Sequence, residues 1–445
     1  LRHKLFFVRE IVGKSAERNF LNKRFHKVNI MAQTPYFTEI ELGEIYLEIS
    51  SETQVQVWQN TQRFPFSTPS RHWHAYLNQL CLDTFLTWLH DEYPQAKSWT
   101  NPTHCPSFWE FVNGCAILLH ERVAIALPRT SSTAPRTTRL VLIPSTAMDT
   151  DELRVPQEWV DIPSWAGDYY LAAQVEPDEG WLRIWGFTTH ERLKTWGEYD
   201  TSDRTYSLSV ESLTPDLDVL WEVQTLCPNE ITRAAIAPLP ALLLPQAETL
   251  MIRLSNPQVI LPRLEVPFAQ WGALLKHAGW RQRLYQRRAG IPEQWSIRQW
   301  LSGGIAQIPR HLGWEQVTVQ PGLAGARGAE MTQTPESILL RQLIIGGQSY
   351  ELRIIPEGDS PTGIWRFELR KSPSASTLDL EANRIPRGMK LRLLTEDLQP
   401  FAGNEAIATA PIDRLYLVVA LEPGEGLVWE IDPTPENYER EILLF

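Results

Sequence analysis

The 445-residue sequence predicts an α+β multidomain protein, with an N-terminal α+β domain over 31–228, a Pro-rich linker over 229–266, a small helical basic module and connector over 267–337, and a C-terminal antiparallel β-sandwich-like domain over 338–445. Three observations carry this reading. An apolar pattern of helical period over 70–93 is followed by short β-rich runs. Prolines concentrate between 228 and 267. The last hundred residues hold strand-length apolar runs at short intervals, as all-β domains do.

In the first domain, Trp73, Tyr76, Leu77, Leu80, Cys81, Phe85, Trp88 and Leu89 repeat at three and four residues, which marks an amphipathic helix. Ser67, Thr68 and Ser70 around Pro69 supply its N-terminal capping chemistry. Strands are predicted at 116–119, 123–127 and 140–143. The runs 169–175 and 181–187, joined by a five-residue loop ending in Gly180, predict a hairpin. A strand at 205–210 and a short helix at 216–226 complete this domain.

In the module, Trp271, Leu274, Leu275, Ala278 and Tyr285 fall on one side of a helical wheel and Lys276, Arg283 and Arg287 on the other, with Gly279 expected to kink or divide the helix. A second helix is expected around 293–301, before Gly303 and Gly304. Downstream, 341–345 and 349–355 flank Gly346-Gly347, whose tolerance of positive φ suits a primed two-residue turn. Further strands are expected at 365–369, 389–394, 415–421 and 427–431.

The net charge of −11 is an average over unlike parts. Residues 1–30 hold eight basic and two acidic side chains and are expected to be a non-native or disordered basic leader, with Met31 as the start. The remainder nets −17. Such a body repels nucleic-acid backbones and anionic membranes. The longest uncharged stretch, 234–247, contains three prolines and is too short to span a bilayer. Four cysteines in a chain of this length make no disulfide framework, so a cytoplasmic setting is expected.

Residues 72–120 contain His72, His74, Cys81, His90, His104, Cys105, Cys115 and His120. They lack the paired short spacings of structural zinc sites, so no metal is expected. No nucleophile elbow, zincin helix or kinase signature occurs. Asp149, Asp151 and Glu152 read as a solvated acidic turn, as do Glu176, Asp178 and Glu179. Gly322, Gly325 and Gly328 match neither a dinucleotide fingerprint nor a Walker loop and read as a connector, and no cofactor is expected.

Charge segregation is the strongest functional signal. Residues 145–225 carry 17 acidic and 5 basic side chains, whereas 271–300 carry 6 basic and 1 acidic together with Trp271, Trp280, Tyr285, Trp295 and Trp300. Arg and Trp side by side suit an interface hot spot. The expected function is therefore a non-enzymatic protein-interaction or regulatory role through Lys276, Trp280, Arg281, Arg283, Tyr285, Arg287, Arg288 and Trp295. The bland alternative docks this helix on the chain's own acidic domain. Two other classes are a hydrolase-like enzyme using His104, Cys105 or His120 near Asp149 and Asp151, and nucleic-acid binding through 271–300, which the acidic body disfavours.

The run L-V-L-I-P-S-T-A-M-D-T-D-E-L-R-V-P-Q-E-W-V-D-I-P-S-W at 140–165, and D-E-G-W-L-R-I-W-G-F at 178–187, resemble the cyanobacterial domain-of-unknown-function family numbered 1822. So do W-R-Q-R-L-Y-Q-R-R at 280–288, L-R-L-L-T-E-D-L-Q-P-F at 391–401 and L-E-P-G-E-G-L-V-W-E at 421–430. The resemblance covers 43 to the C terminus and leaves 1–30 outside. It implies lineage and a cytoplasmic role, and it assigns no catalytic residue.

Overall fold

A computed structural model describes residues 44–120, 137–227, 230–291, 296–302, 313–319, 336–357, 363–372 and 384–445. The predicted strand at 123–127, the Gly322, Gly325 and Gly328 segment and Trp295 lie outside them.

The N-terminal core is built on a six-stranded mixed sheet. Its strands are β1 (Ile45–Glu48), β2 (Lys97–Ser98), β3 (Cys115–His120), β4 (Thr137–Ser145), β6 (Tyr169–Glu176) and β7 (Trp181–Thr189), in the order β1-β7-β6-β4-β3-β2. β4 and β6 run parallel and the other neighbours antiparallel. Side chains on a strand alternate between faces. Leu140 and Leu142 therefore join one buried cluster and Val141 and Ile143 the other. The first face is covered by the long amphipathic helix α2 (Pro69–Leu89), capped by the Thr68 hydroxyl, and α1 (Ser51–Thr61) packs beside it.

The second face carries an aromatic layer of Trp159 and Trp165 around Tyr170, whose hydroxyl donates to the Trp159 carbonyl at 2.7 Å. Short helices α3 (Cys105–Trp109) and α4 (Gln157–Asp161) contribute to this layer. A three-stranded antiparallel sheet flanks it: β5 (Glu152–Pro156), β9 (Thr205–Ser209) and β8 (Glu198–Asp200). The stretch read as a solvated acidic turn thus leads into β5, and helices α5 (His190–Trp196) and α6 (Asp218–Leu226) complete the domain.

The Pro-rich stretch is more than a linker. It contains α7 (Leu244–Leu254), because Pro245 falls in the first turn, where a missing N–H leaves no bond unmade. Ala247, Met251 and Leu254 bury its apolar stripe. The helix expected to kink or divide at Gly279 is two helices, α8 (Phe268–Lys276) and α9 (Ala278–Arg288), and the break falls at His277. His277 is extended, with φ −81° and ψ 106°, and its Nδ1 accepts from the Trp280 N–H. Trp271, Leu274, Leu275, Trp280 and Leu284 share one cluster with Phe108, Trp159 and Trp165, so these helices belong to the N-terminal core.

After α10 (Ile297–Ser302), the C-terminal region is two antiparallel sheets facing each other. One has the order β10 (Trp314–Val319), β11 (Glu336–Ile345), β12 (Gln348–Glu357), β13 (Ile364–Lys371), β16 (Arg414–Ala420). The other has β15 (Glu405–Ile407), β14 (Lys390–Thr395), β17 (Gly426–Asp432), β18 (Leu443–Leu444). Leu352, Ile354, Phe367 and Leu369 meet Leu391, Leu393, Trp429 and Ile431 in the core between them. Gly346 (φ 55°) and Gly347 (φ 71°) form the predicted primed turn. Leu394, Val428 and Ile442 of this region enter the N-terminal cluster and seam the two parts together.

Candidate functional site

α9 lies at that seam, and its arginines are paired inside the molecule. Arg281 is 2% exposed. Its Nη2 donates to Glu439 Oε2 at 2.7 Å, its Nε to Ser107 Oγ at 3.2 Å and its Nη1 to the Leu275 carbonyl at 3.1 Å, and the guanidinium covers the Phe108 ring at 3.7 Å. Arg283 bridges Glu248 at 2.9 Å and Glu396 at 2.6 Å. Arg287 reaches Glu248 at 3.4 Å, and Arg288 pairs with fully buried Glu110 at 3.2 Å.

The aromatics behave alike. Buried Trp280 stacks on His277 and donates its ring N–H to Glu396 at 3.2 Å. Buried Tyr285 donates to the Pro65 carbonyl at 2.9 Å, and Trp271 donates to buried Glu158 at 2.7 Å. The Trp/Arg set is thus an internal staple joining the N-terminal domain, α7 and the β domain. Of the residues named as a partner surface, Lys276 alone among those described stands exposed.

The groups considered for hydrolysis do not converge. His120 pairs in register with Thr137 at the start of β4, whereas Asp149 and Asp151 follow its far end, roughly 27 Å along the strand at 3.3–3.4 Å per residue. The Cys105 thiol is pushed up by burial and its Sγ faces the Asn101 carbonyl. His104 lies 3.6 Å from Glu439, with its pKa lowered chiefly by burial. The nearby Ser107 hydroxyl donates to the His104 carbonyl and not to its ring, so no nucleophile–base pair forms there.

The Cys/His cluster has packing roles: the His72 ring sits against Trp58 and Phe66, His90 bonds the Ala96 carbonyl, and Cys81 and Cys115 are buried. Among the described residues no group of three or more His, Cys, Asp or Glu is placed to hold a metal. No helix among them is long and apolar enough to cross a membrane.

A cleft of about 510 Å3 opens where the three parts meet. Trp99, Phe108, Ser164 and Trp165 form the N-terminal wall; Lys276, Ala278 and Arg281 the helical wall. The β-domain wall carries the cations Lys390, Arg392 and Arg440 with Glu430, Asp432, Tyr438 and Glu439. Sequence reasoning reached Lys276 and Arg281 through their basic helix, but missed the β-domain residues because nothing local in 390–440 marks them as neighbours of 99–165.

No curated protein and no solved structure matches the chain. The family described as a protein of unknown function (DUF1822) matches residues 47–444, and the chain belongs to that family.

Proposed function

We propose that this is a non-enzymatic interaction or regulatory protein, acting in a cyanobacterial cytoplasm, whose partner surface is the cleft between the N-terminal wall, the α8–α9 helices and the β domain. The observation that carries this is the cleft itself: a concave site of about 510 Å3, within the size range of ligand sites, with cations and aromatic rings from three parts of the chain. The Trp/Arg module serves it indirectly. Its buried arginines fix the walls relative to one another, and Lys276 and Arg281 form the helical wall. The same burial takes those arginines away from phosphate contacts, which favours a protein partner over nucleic acid.

The test is photo-crosslinking in the native cell, with the crosslinker in place of Thr434 on the cleft rim or of Glu198, exposed in β8. The expected result is a discrete protein adduct from the Thr434 position that disappears in the double variant Lys276→Glu, Lys390→Glu. No adduct, or the same adduct from both positions, overturns the proposal.

A further inference from the structure

We infer that the cleft's occupant is an acidic segment of the partner polypeptide, its carboxylates received by Lys276 and Lys390 on opposite walls. This rests on the interaction reading and names the chemistry of its partner. The cations of the cleft divide into two kinds. The guanidinium groups are engaged: Arg281 by Glu439 at 2.7 Å, Arg440 by Glu430 at 2.7 Å, and Arg392 by Glu405 and, at 3.7 Å, Glu430. The ammonium groups are held loosely or not at all. Lys276 is exposed and in no ion pair among the described residues. Lys390 is 4.0 Å from Asp432, whose side chain is 70% exposed.

That division selects the ligand. Planar, bidentate capture of phosphate relies on open arginine forks, and here each fork already carries one of the protein's own carboxylates. What remains is two point charges, suited to single carboxylates. The same lining includes Ala278 and part-exposed Tyr438, surface for the side chains of an extended segment, and exposed Ser164 and Thr434 offer hydroxyls to its backbone. The strongly acidic body adds to the selection. At low salt it opposes a long polyanion more than a short segment with a few carboxylates, which meets the local ammonium pair.

The experiment is fluorescence anisotropy with the full chain and a fluorescein-labelled peptide, Gly-Glu-Asp-Tyr-Glu-Asp-Gly, against its counterpart with Lys at the four acidic positions. The expected result is saturable binding of the acidic peptide only, weakened at least tenfold by Lys276→Glu with Lys390→Glu and several-fold by Lys276→Gln with Lys390→Gln. Circular dichroism of both variants should match the parent, and the neutral Gln pair should unfold at the parent's temperature. Three results overturn the inference: no binding of the acidic peptide, binding indifferent to both double variants, or displacement by pyrophosphate or oligothymidylate at lower concentration than by unlabelled peptide. If the Thr434 crosslink persists while the peptide fails to bind, the acidic chemistry is wrong and the interaction reading stands. If both fail, both fall.

Discussion

Residues 145–225 and 271–300 carry opposite net charge, yet the described ion pairs do not join them. The cations of α9 go to Glu110, Glu248, Glu396 and Glu439, all outside the acidic stretch. The carboxylates of the acidic stretch find other partners: Glu158 takes Arg263, Asp161 takes Lys194, and Asp168 takes Arg233. The two segments meet instead through the hydrogen bond from Trp271 to Glu158, the Arg281 guanidinium 5.7 Å from the Trp165 ring centroid, and shared apolar packing. Segregation along a sequence is therefore a poor guide to which charges meet, because pairing is decided at close range by the fold and distant fields are screened.

The two regions also differ in what an ion pair is worth. Arg154 gathers Glu152, Asp200 and Asp203, but its side chain is 41% exposed. Arg281 makes one described ion pair with its side chain 3% exposed. Breaking a buried pair from one side strands a charge and costs about 3–5 kcal/mol, whereas an exposed pair contributes about 0–1 kcal/mol. Arg281→Met should accordingly lower the urea unfolding free energy by about 3–5 kcal/mol, the largest effect expected at this seam. If its loss is no larger than that of Arg154→Met, the contrast between the regions is wrong.

Next in size is Gly279→Ala. An added Cβ would lie 2.5 Å from Ile442 Cγ1 and 2.6 Å from its Cδ1. Overpacking of this kind costs about 1–3 kcal/mol, against a helix-propensity gain of about 1 kcal/mol from removing glycine. A net loss in thermal unfolding is expected. A net gain would mean that α9 does not press on the β domain.

His277 sharpens the comparison through pH. Burial, reinforced by Arg440, Arg281 and Arg283, depresses its pKa to about 3 from an ordinary 6.5. Between these values the unfolded chain binds a proton that the folded chain refuses. The stability contributed above pH 6.5 is therefore lost as pH falls toward 3, at about 1.4 kcal/mol per pH unit. His277→Asn keeps an N-cap acceptor for the Trp280 N–H and removes the titration. Its urea midpoints should be flatter than the parent's below pH 6.5; an unchanged slope would exclude His277 as the cause.

The smallest stability effect belongs to the cleft. Lys276→Glu with Lys390→Glu should cost no more than about 1 kcal/mol, since Lys276 is exposed and Lys390→Glu exchanges a 4.0 Å pair with Asp432 for like charges across β14 and β17. Reversal at Arg283 and Arg287 would instead unmake pairs with Glu248 and Glu396 and so test folding, not partner capture.

Much of the fold was legible where local chemistry decides it. The three-and-four spacing of Tyr76, Leu80 and Phe85 marked α2, and Gly346-Gly347 marked a hairpin because that turn demands positive φ. The short strands β1, β5 and β8 were not legible, since they are defined by partners on β7 and β9 and hold little apolar pattern of their own. The break at His277 depends on a side-chain cap, a signal that Gly279 next door obscured. As for the site, the sequence marks Trp and Arg on α9 as a charged aromatic set. Their burial was hidden, because Arg283 finds Glu248 35 residues away and Arg288 finds Glu110 178 residues away.

α9 staples the seam from inside, and the Arg281–Glu439 pair probes that role most directly. A double-mutant cycle of Arg281→Met and Glu439→Gln by urea unfolding should return a coupling energy above about 1 kcal/mol, as contacting buried residues do. Additivity within about 0.3–0.5 kcal/mol would contradict it.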